Sequence, residues 1–305
     1  MNAHETDRLE TETRNPWAPE LDLMQTAELV RYMNEADRSV PLCVGEALED
    51  VAVAADVIVN AIRRGGRLFY VGAGTSGLLG MLDAYECPPT FGTPPELVQA
   101  IMPGGGSLAE ADESGEDNAV AGAEDLRARG LTPQDVVVGI AASGRTPYVV
   151  GALHCARQVG AATVAVSCVR GSAIGAIAET AIEVPVGPEV VTGSTRLKAG
   201  TAQKLVLNML STVTMTRLGK VYGTLMVDMR PTNSKLLRRA KRIVEMATGA
   251  SPEEADRAMQ QTGGEVKPAI VMLLGSVGDA GRASELLRLA DGNVRAALRL
   301  AQAAE

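Results

Sequence analysis

Aromatic side chains are scarce: one tryptophan, two phenylalanines and five tyrosines in 305 residues. The core must therefore be filled by Val, Ile, Leu, Met and Ala, and a hydrophobic content of 46% is enough for at least one full core. Long apolar runs are missing too. None approaches the ~18 residues of a membrane-spanning helix, and the charged start MNAHETDRLETETRNPWAPE lacks the apolar centre of a secretion signal. Basic charge is not in excess. With 29 Lys and Arg against 37 Asp and Glu, the net charge of -8 gives no general footprint for nucleic acid, although a local basic pocket for a small anion is compatible with it. The four cysteines (Cys43, Cys87, Cys155, Cys168) are far apart and form no C-x-x-C pair. With only His4 and His154 beside them they make a poor metal set. The expectation is a reduced, cytoplasmic protein with no metal and with neither nucleic acid nor membrane as partner.

What is present is a run of short apolar segments. RLFYVG (67–72), LVQAIMPG (97–104), DVVVGIAAS (135–143), ATVAVSC (162–168) and AIEVPVG (181–187) are continuous rather than alternating, as strands buried on both faces require. Helix-forming stretches at 118–129, 148–159 and 171–178 lie between them. The fold class expected is α/β: a doubly wound, parallel, five-stranded sheet with ligand at the strand C-terminal ends. A polar arm (1–20), a helix over 26–37 and a longer helix over 44–64 precede the sheet. The second helix stops at Gly65-Gly66, a helix-ending signal. A long helix spans 195–219, no strand is expected after it, and the last 65 or so residues read as short helices. There GEVKPAI (264–270) recurs as GNVRAAL (292–298), 28 residues later. This fits either a small ubiquitin-associated-type module or two helix starts with similar caps. The boundaries expected are an arm with helices over 1–57, a ligand-binding domain over 58–221 and a helical region over 222–305.

The loop after the first strand, Gly72-Ala73-Gly74-Thr75-Ser76-Gly77, satisfies G-x-G-x-x-G. A glycine turn opening a helix favours an anion, because unpaired backbone N–H groups lie at the positive end of the helix. A dinucleotide site also needs an acid at the end of the second strand, to hold the ribose. That position reads QAIMPGGG and has none. Hydroxyls take its place: Thr75 and Ser76 in the first loop; Ser143, Gly144, Arg145 and Thr146 in AASGRTP (141–147); and Ser194, Thr195, Arg196 and Lys198 in VTGSTRLKAG (191–200). One Ser-Gly loop reads as an ordinary helix cap, whereas two or three after successive strands suit a phosphate on a polyol.

These loops resemble the sugar isomerase (SIS) domain, which binds phosphosugars. The wider set TETRN, DRSVPLCV, GAGTSGLLGMLDAYECPPTFG, DVVVGIAASGRTPYV, EVVTGSTRLKAGTAQKLVLNMLST and LMVD resembles the N-acetylmuramic acid 6-phosphate etherase family from about residue 11 onward. The resemblance implies removal of the D-lactyl ether from the sugar by elimination and water addition. It also implies a homodimer, substrate contacts at Gly74, Thr75, Ser76, Gly77, Ser143, Gly144, Arg145, Thr146, Ser194 and Lys198, and no cofactor. Glu86, in DAYECPP, aligns with the family's proton donor, between an apolar helix and two prolines that would favour its protonated form. Glu116, in ESGED, aligns with the second glutamate, as the base or as a group that helps orient the substrate, and Glu113 in the same acidic run competes with it for the role of base or contacts the substrate. Paired carboxylates suit this chemistry when their surroundings separate their pKa values.

Two points sit awkwardly with this pattern. Ser76 and Glu86 are ten residues apart, ~15 Å along a helix. Glu86 then serves either a chain that folds back or a neighbouring subunit's site. Leu78 also stands where the family usually has arginine after GTSG. Cys87 and His154 read as structural, and Gln203 and Lys204 as facing either the sheet or the site. The rival functions are a non-catalytic phosphosugar-sensing regulator and a phosphosugar isomerase. Retention of both glutamates weighs against the first, and the ECPPTFG segment against the second.

Overall fold

The computed structural model describes residues 11–16, 18–105, 113–229 and 234–303. By their internal contacts these form two units, one comprising residues up to Ala84 with Glu96–Ser211, the other Tyr85–Pro95 with the residues from Thr212.

The first unit is built on five parallel strands: β1 (Leu68–Gly72), β2 (Val98–Ile101), β3 (Val136–Ile140), β4 (Ala162–Ser167) and β5 (Thr180–Glu183), in the order β2-β1-β3-β4-β5. Tyr70 stands opposite Val138, and Val138 opposite Val164. Every residue of β1 and β3 is buried, which is why their sequences run apolar without alternation. The fifth apolar run stops pairing at Glu183, before Pro185, which has no N–H to give to a ladder. Among the described residues a short 3-10 helix (Leu21–Leu23) and three α-helices precede the sheet: α1 (Thr26–Asp37), α2 (Val40–Gly45) and α3 (Leu48–Arg63). The single helix expected over 44–64 is thus two. The chain bends at Ala47 (φ -106°, ψ 9°), whose N–H bonds Val44 O, just after the weakly helical Gly45.

Helices α5 (Ala119–Ala128) and α6 (Pro147–Val159) follow β2 and β3, and α7 (Ala173–Ile177) follows β4. Helix α4 (Gly74–Phe91) leaves β1, and α8 (Lys198–Arg217) follows the sheet. Helices α5 and α6 touch through backbone. A Cβ on Gly122 would lie 2.0 Å from Tyr148 O, and one on Gly151 would lie 1.8 Å from Ala119 O. Phe69, Val71, Val137, Leu126, Tyr148 and Leu153 fill the core on that side of the sheet. At the far ends of β1 and β3, the buried Asp135 accepts from Arg67 N, Nε and Nη2, and from Thr132 N and Oγ1. Burial opposes ionisation of Asp135, but these donors outweigh it and hold the carboxyl below its usual range.

Helix α4 does not stop at Glu86. It continues to Phe91 with Pro88 and Pro89 inside it. Each proline fits helical φ but gives no N–H, so the helix loses two internal bonds, those to Ala84 O and Tyr85 O. Gly92 N–H, 2.9 Å from Pro88 O, closes the helix.

The second unit carries a short hairpin, β6 (Val221–Tyr222) and β7 (Leu225–Met226), turning on Gly223 at φ +60°. Two residues a side are too few to register as an apolar run, so no strand was expected there. Five helices follow: α9 (Ser234–Thr248), α10 (Pro252–Gln261), α11 (Val266–Leu274), α12 (Ala280–Leu289) and α13 (Val294–Gln302). The sequence repeat is a repeated helical hairpin. Ser251 and Asp279 cap its first helices, Gly264 (φ +90°) and Gly292 (φ +73°) turn the chain, and Val266 and Val294 open its second helices. Asp228 Oδ2 takes Lys220 Nζ at 2.6 Å and Lys267 Nζ at 2.9 Å, and Arg295 lies over the Tyr222 ring at 4.9 Å. These contacts tie the hairpin to α11 and α13. Lys220, Asp228 and Lys267 border a cavity of about 670 Å³ that Gly92, Gly264 and Ser284 also line.

Candidate active site

Strand order reverses between β1 and β3, so the crevice at their C-terminal ends is where a doubly wound sheet takes its ligand. Two loops leave there. In the first, Gly74 is exposed at φ +52°, a left-handed conformation glycine adopts without strain. Gly72 and Gly77 serve a different need. A Cβ on Gly77 would sit 2.7 Å from Gly72 O and 3.0 Å from Met102 Cβ, so the helix start can lie on the strand end only without side chains. Gly77 is thus a packing residue. Thr75 is half-buried, with Cγ2 3.5 Å from where a Gly200 Cβ would stand. Ser76 is buried and donates its hydroxyl to Gln203 Oε1 at 3.0 Å.

In the second loop, Gly144 (φ +66°) passes so close to Ser172 that a Cβ there would meet Ser172 Cβ at 2.3 Å. Arg145 is half-buried, and its N–H donates to Ser143 Oγ at 3.4 Å. Thr146 heads α6 and does not cap it. Its buried hydroxyl donates to Glu116 Oε1 at 3.0 Å. Glu116 stands in a short 3-10 helix, Glu113–Asp117, and is half-buried. Thirty residues of chain thus fold back to bring the acid onto the loop. The Glu113 side chain lies outside the described residues.

The third loop turns inward. Lys198, 8% exposed, gives its ammonium to Val186 O at 2.5 Å. Its own N–H and that of Ala199 go to the two carboxylate oxygens of Glu189, each at 2.9 Å. A buried carboxylate therefore already occupies the positive end of α8. Glu189 was not anticipated, because it lies nine residues before the helix it caps. Ser194 is half-buried, and its carbonyl accepts from Leu197 N–H. The TETRN segment reaches this loop: a Cβ on Gly193 would come 3.0 Å from Glu12 Oε2. Arg14, Asn15, Glu189 and Thr192 border a cavity of about 310 Å³ there.

Glu86 stands on α4 ten residues beyond Ser76 and is exposed, not enclosed by apolar side chains as its neighbours in sequence implied. Three residues before it, Asp83 was missed by sequence reading. Its carboxyl accepts from Tyr70 Oη and Ser211 Oγ, each at 2.9 Å. Burial pushes its pKa up to about 6, against the pull of those two bonds and of Lys204.

A model described as SIS domain matches residues 31–168. An N-acetylmuramic acid 6-phosphate etherase of Geobacillus thermodenitrificans is 55% identical over 293 residues, covering 96% of this chain and 99% of the relative. The protein of that name from Cronobacter sakazakii is 55% identical over 95% of this chain and 98% of its own length, and the one from Streptomyces avermitilis is 53% identical over 96% and 94%. This chain belongs to the N-acetylmuramic acid 6-phosphate etherase family.

Within this etherase-family chain the reactive-looking side chains outside the loops have structural settings. Cys87 is 1% exposed. Burial and the charge of Glu189 push the Cys168 thiol up to about 12, so it stays protonated and unreactive. His154, next to the buried Cys155, is itself exposed on α6. Among the described residues, no group of three or more His, Cys, Asp or Glu could hold a metal ion. Leu78 is half-buried in the first turn of α4. No helix of the described residues is long and apolar enough to cross a membrane.

Proposed function

We propose that this chain is a carbon–oxygen lyase that removes the D-lactyl ether from N-acetylmuramic acid 6-phosphate, giving N-acetylglucosamine 6-phosphate and D-lactate. The observation that carries the reading is 55% identity over 96% of the chain to a relative named for that substrate. In this reading residues 58–221 form the phosphosugar domain, between the arm and the C-terminal helices. The substrate phosphate takes the first turn of α4, where the N–H groups of Thr75 and Ser76 have no partner within the helix. Ser143, Arg145 and Thr146 take the sugar hydroxyls.

The sugar reacts as its open-chain aldehyde, whose carbonyl acidifies the proton on carbon 2. Glu116, oriented by Thr146, removes that proton. The electron pair forms the carbon 2–carbon 3 double bond, and the carbon 3–oxygen bond breaks as Glu86 gives a proton to the ether oxygen. D-lactate leaves, water adds to carbon 3, and both carboxyls return to their starting forms. This reading makes the protein a cytoplasmic homodimer in which Glu86 completes the site of the neighbouring subunit. The exposure of Glu86 in the single chain supports that role.

The test is D-lactate release from N-acetylmuramic acid 6-phosphate, with the unphosphorylated sugar as control. Release only from the phosphorylated sugar, abolished in Glu86→Gln with binding retained, is the expected result. Equal release from both sugars, or none from either, would remove the reading.

A further inference from the structure

Directly behind the first loop, the side chain of Gln203 is 1% exposed, and its Oε1 accepts the Ser76 hydroxyl at 3.0 Å. Its Nε2 is also buried and has no hydrogen-bond partner among the described residues. A buried amide donor without an acceptor is costly, more so than a carbonyl with a spare lone pair. A serine hydroxyl has one proton. While that proton points at Gln203, Ser76 has none to give to an anion in the loop.

We infer that Gln203 is a positioning residue for the substrate phosphate, acting through Ser76 by reversal of its amide; the inference rests on the phosphosugar reading above. A half-turn of the amide exchanges oxygen and nitrogen, which are nearly equal in size, so the packing around it is kept. Nε2 then donates to Ser76 Oγ, the hydroxyl proton turns outward, and a phosphate oxygen accepts it. In the orientation of the structure the Ser76 proton has an acceptor and the buried Nε2 has none. In the loaded loop the reversed orientation is stable, because the phosphate accepts that proton and the buried Nε2 gains a partner. Anion binding and amide orientation are thereby coupled. The role requires glutamine specifically. A carboxylate at 203 only accepts, so it would hold the Ser76 proton inward and also repel the phosphate. A leucine would free the proton without aiming it.

The test uses N-acetylglucosamine 6-phosphate, which carries the phosphate and has no lactyl ether to lose, titrated calorimetrically into the full chain. Gln203→Glu is expected to weaken binding by about 100-fold and Gln203→Leu by about 10-fold. In a Ser76→Ala background, Gln203→Leu is expected to change affinity by less than about twofold. The Gln203 side-chain amide resonance, assigned by its loss in Gln203→Leu, should shift on ligand addition in the wild type and stay in place in Ser76→Ala. Equal losses for Gln203→Glu and Gln203→Leu, or a Gln203→Leu effect undiminished without the Ser76 hydroxyl, would reduce Gln203 to packing and overturn the inference. Wild-type protein that binds the phosphosugar with a stationary amide resonance would overturn it while leaving the phosphosugar reading intact. Failure of the wild type to bind at all would remove both.

Discussion

Asp83 pins the helix that carries Ser76 and Glu86 to β1 through Tyr70 and to α8 through Ser211, and its ionisation opposes that packing. Its pKa is raised from 3.8 to about 6, a difference of roughly two units, and at about 1.4 kcal/mol per unit this bounds the effect near 3 kcal/mol. The sign follows from proton binding. Between the two values the folded protein holds a proton that the unfolded chain has lost. The stability contribution is therefore full below the unfolded value and is lost as pH rises through about 6. Asp83→Asn keeps the shape and remains neutral at every pH, so the difference between wild type and variant isolates the titration. In urea denaturation, raising the pH from about 4.5 to about 7 should lower wild-type stability relative to Asp83→Asn by about 2 kcal/mol. A difference that stays flat across that range, or rises with pH, would refute the assignment.

Gly122→Ala and Gly151→Ala each drive a methyl into backbone across α5 and α6, and each should cost about 3 kcal/mol or more. Calorimetry checks this, and an unchanged melting temperature would contradict the contact. Thr146→Val removes the donor that orients Glu116 at nearly constant volume, so kcat for lactate release should fall about 10-fold, and KM should rise with the lost sugar contact. A normal kcat would dismiss the pair. Heterodimers joining a Glu86→Gln subunit to a Glu116→Gln subunit contain one intact site if Glu86 acts across the interface, so they should recover about half the wild-type activity. No recovery in verified heterodimers would count against a shared site.

The parallel sheet was legible because a strand buried on both faces has no polar position to interrupt it, as in the wholly buried LFYVG of β1 and VVVGI of β3. The two loops were legible because their chemistry is local: the glycines and hydroxyls needed at a strand end are adjacent in sequence. Pairings across long stretches of chain were not. Ser211 reaches Asp83 across 128 residues and Gln203 reaches Ser76 across 127, and neither helix shows a local sign of its partner. Pro88 and Pro89 misled for the opposite reason. Their local signal is strong, yet helix α4 runs through them. Lys198 and Glu189 show the same limit, since a lysine in a polar loop gives no sign that a carbonyl inside the protein holds its ammonium.

The central claim, elimination at carbon 3 followed by water addition, is tested most directly by turnover of N-acetylmuramic acid 6-phosphate in water enriched in heavy oxygen. Carbon NMR isotope shifts separate label at carbon 3 from ordinary exchange at the aldehyde carbon. The account predicts label at carbon 3 of the N-acetylglucosamine 6-phosphate and none in the hydroxyl of D-lactate. Label in the lactate hydroxyl, with carbon 3 unlabelled, would contradict it.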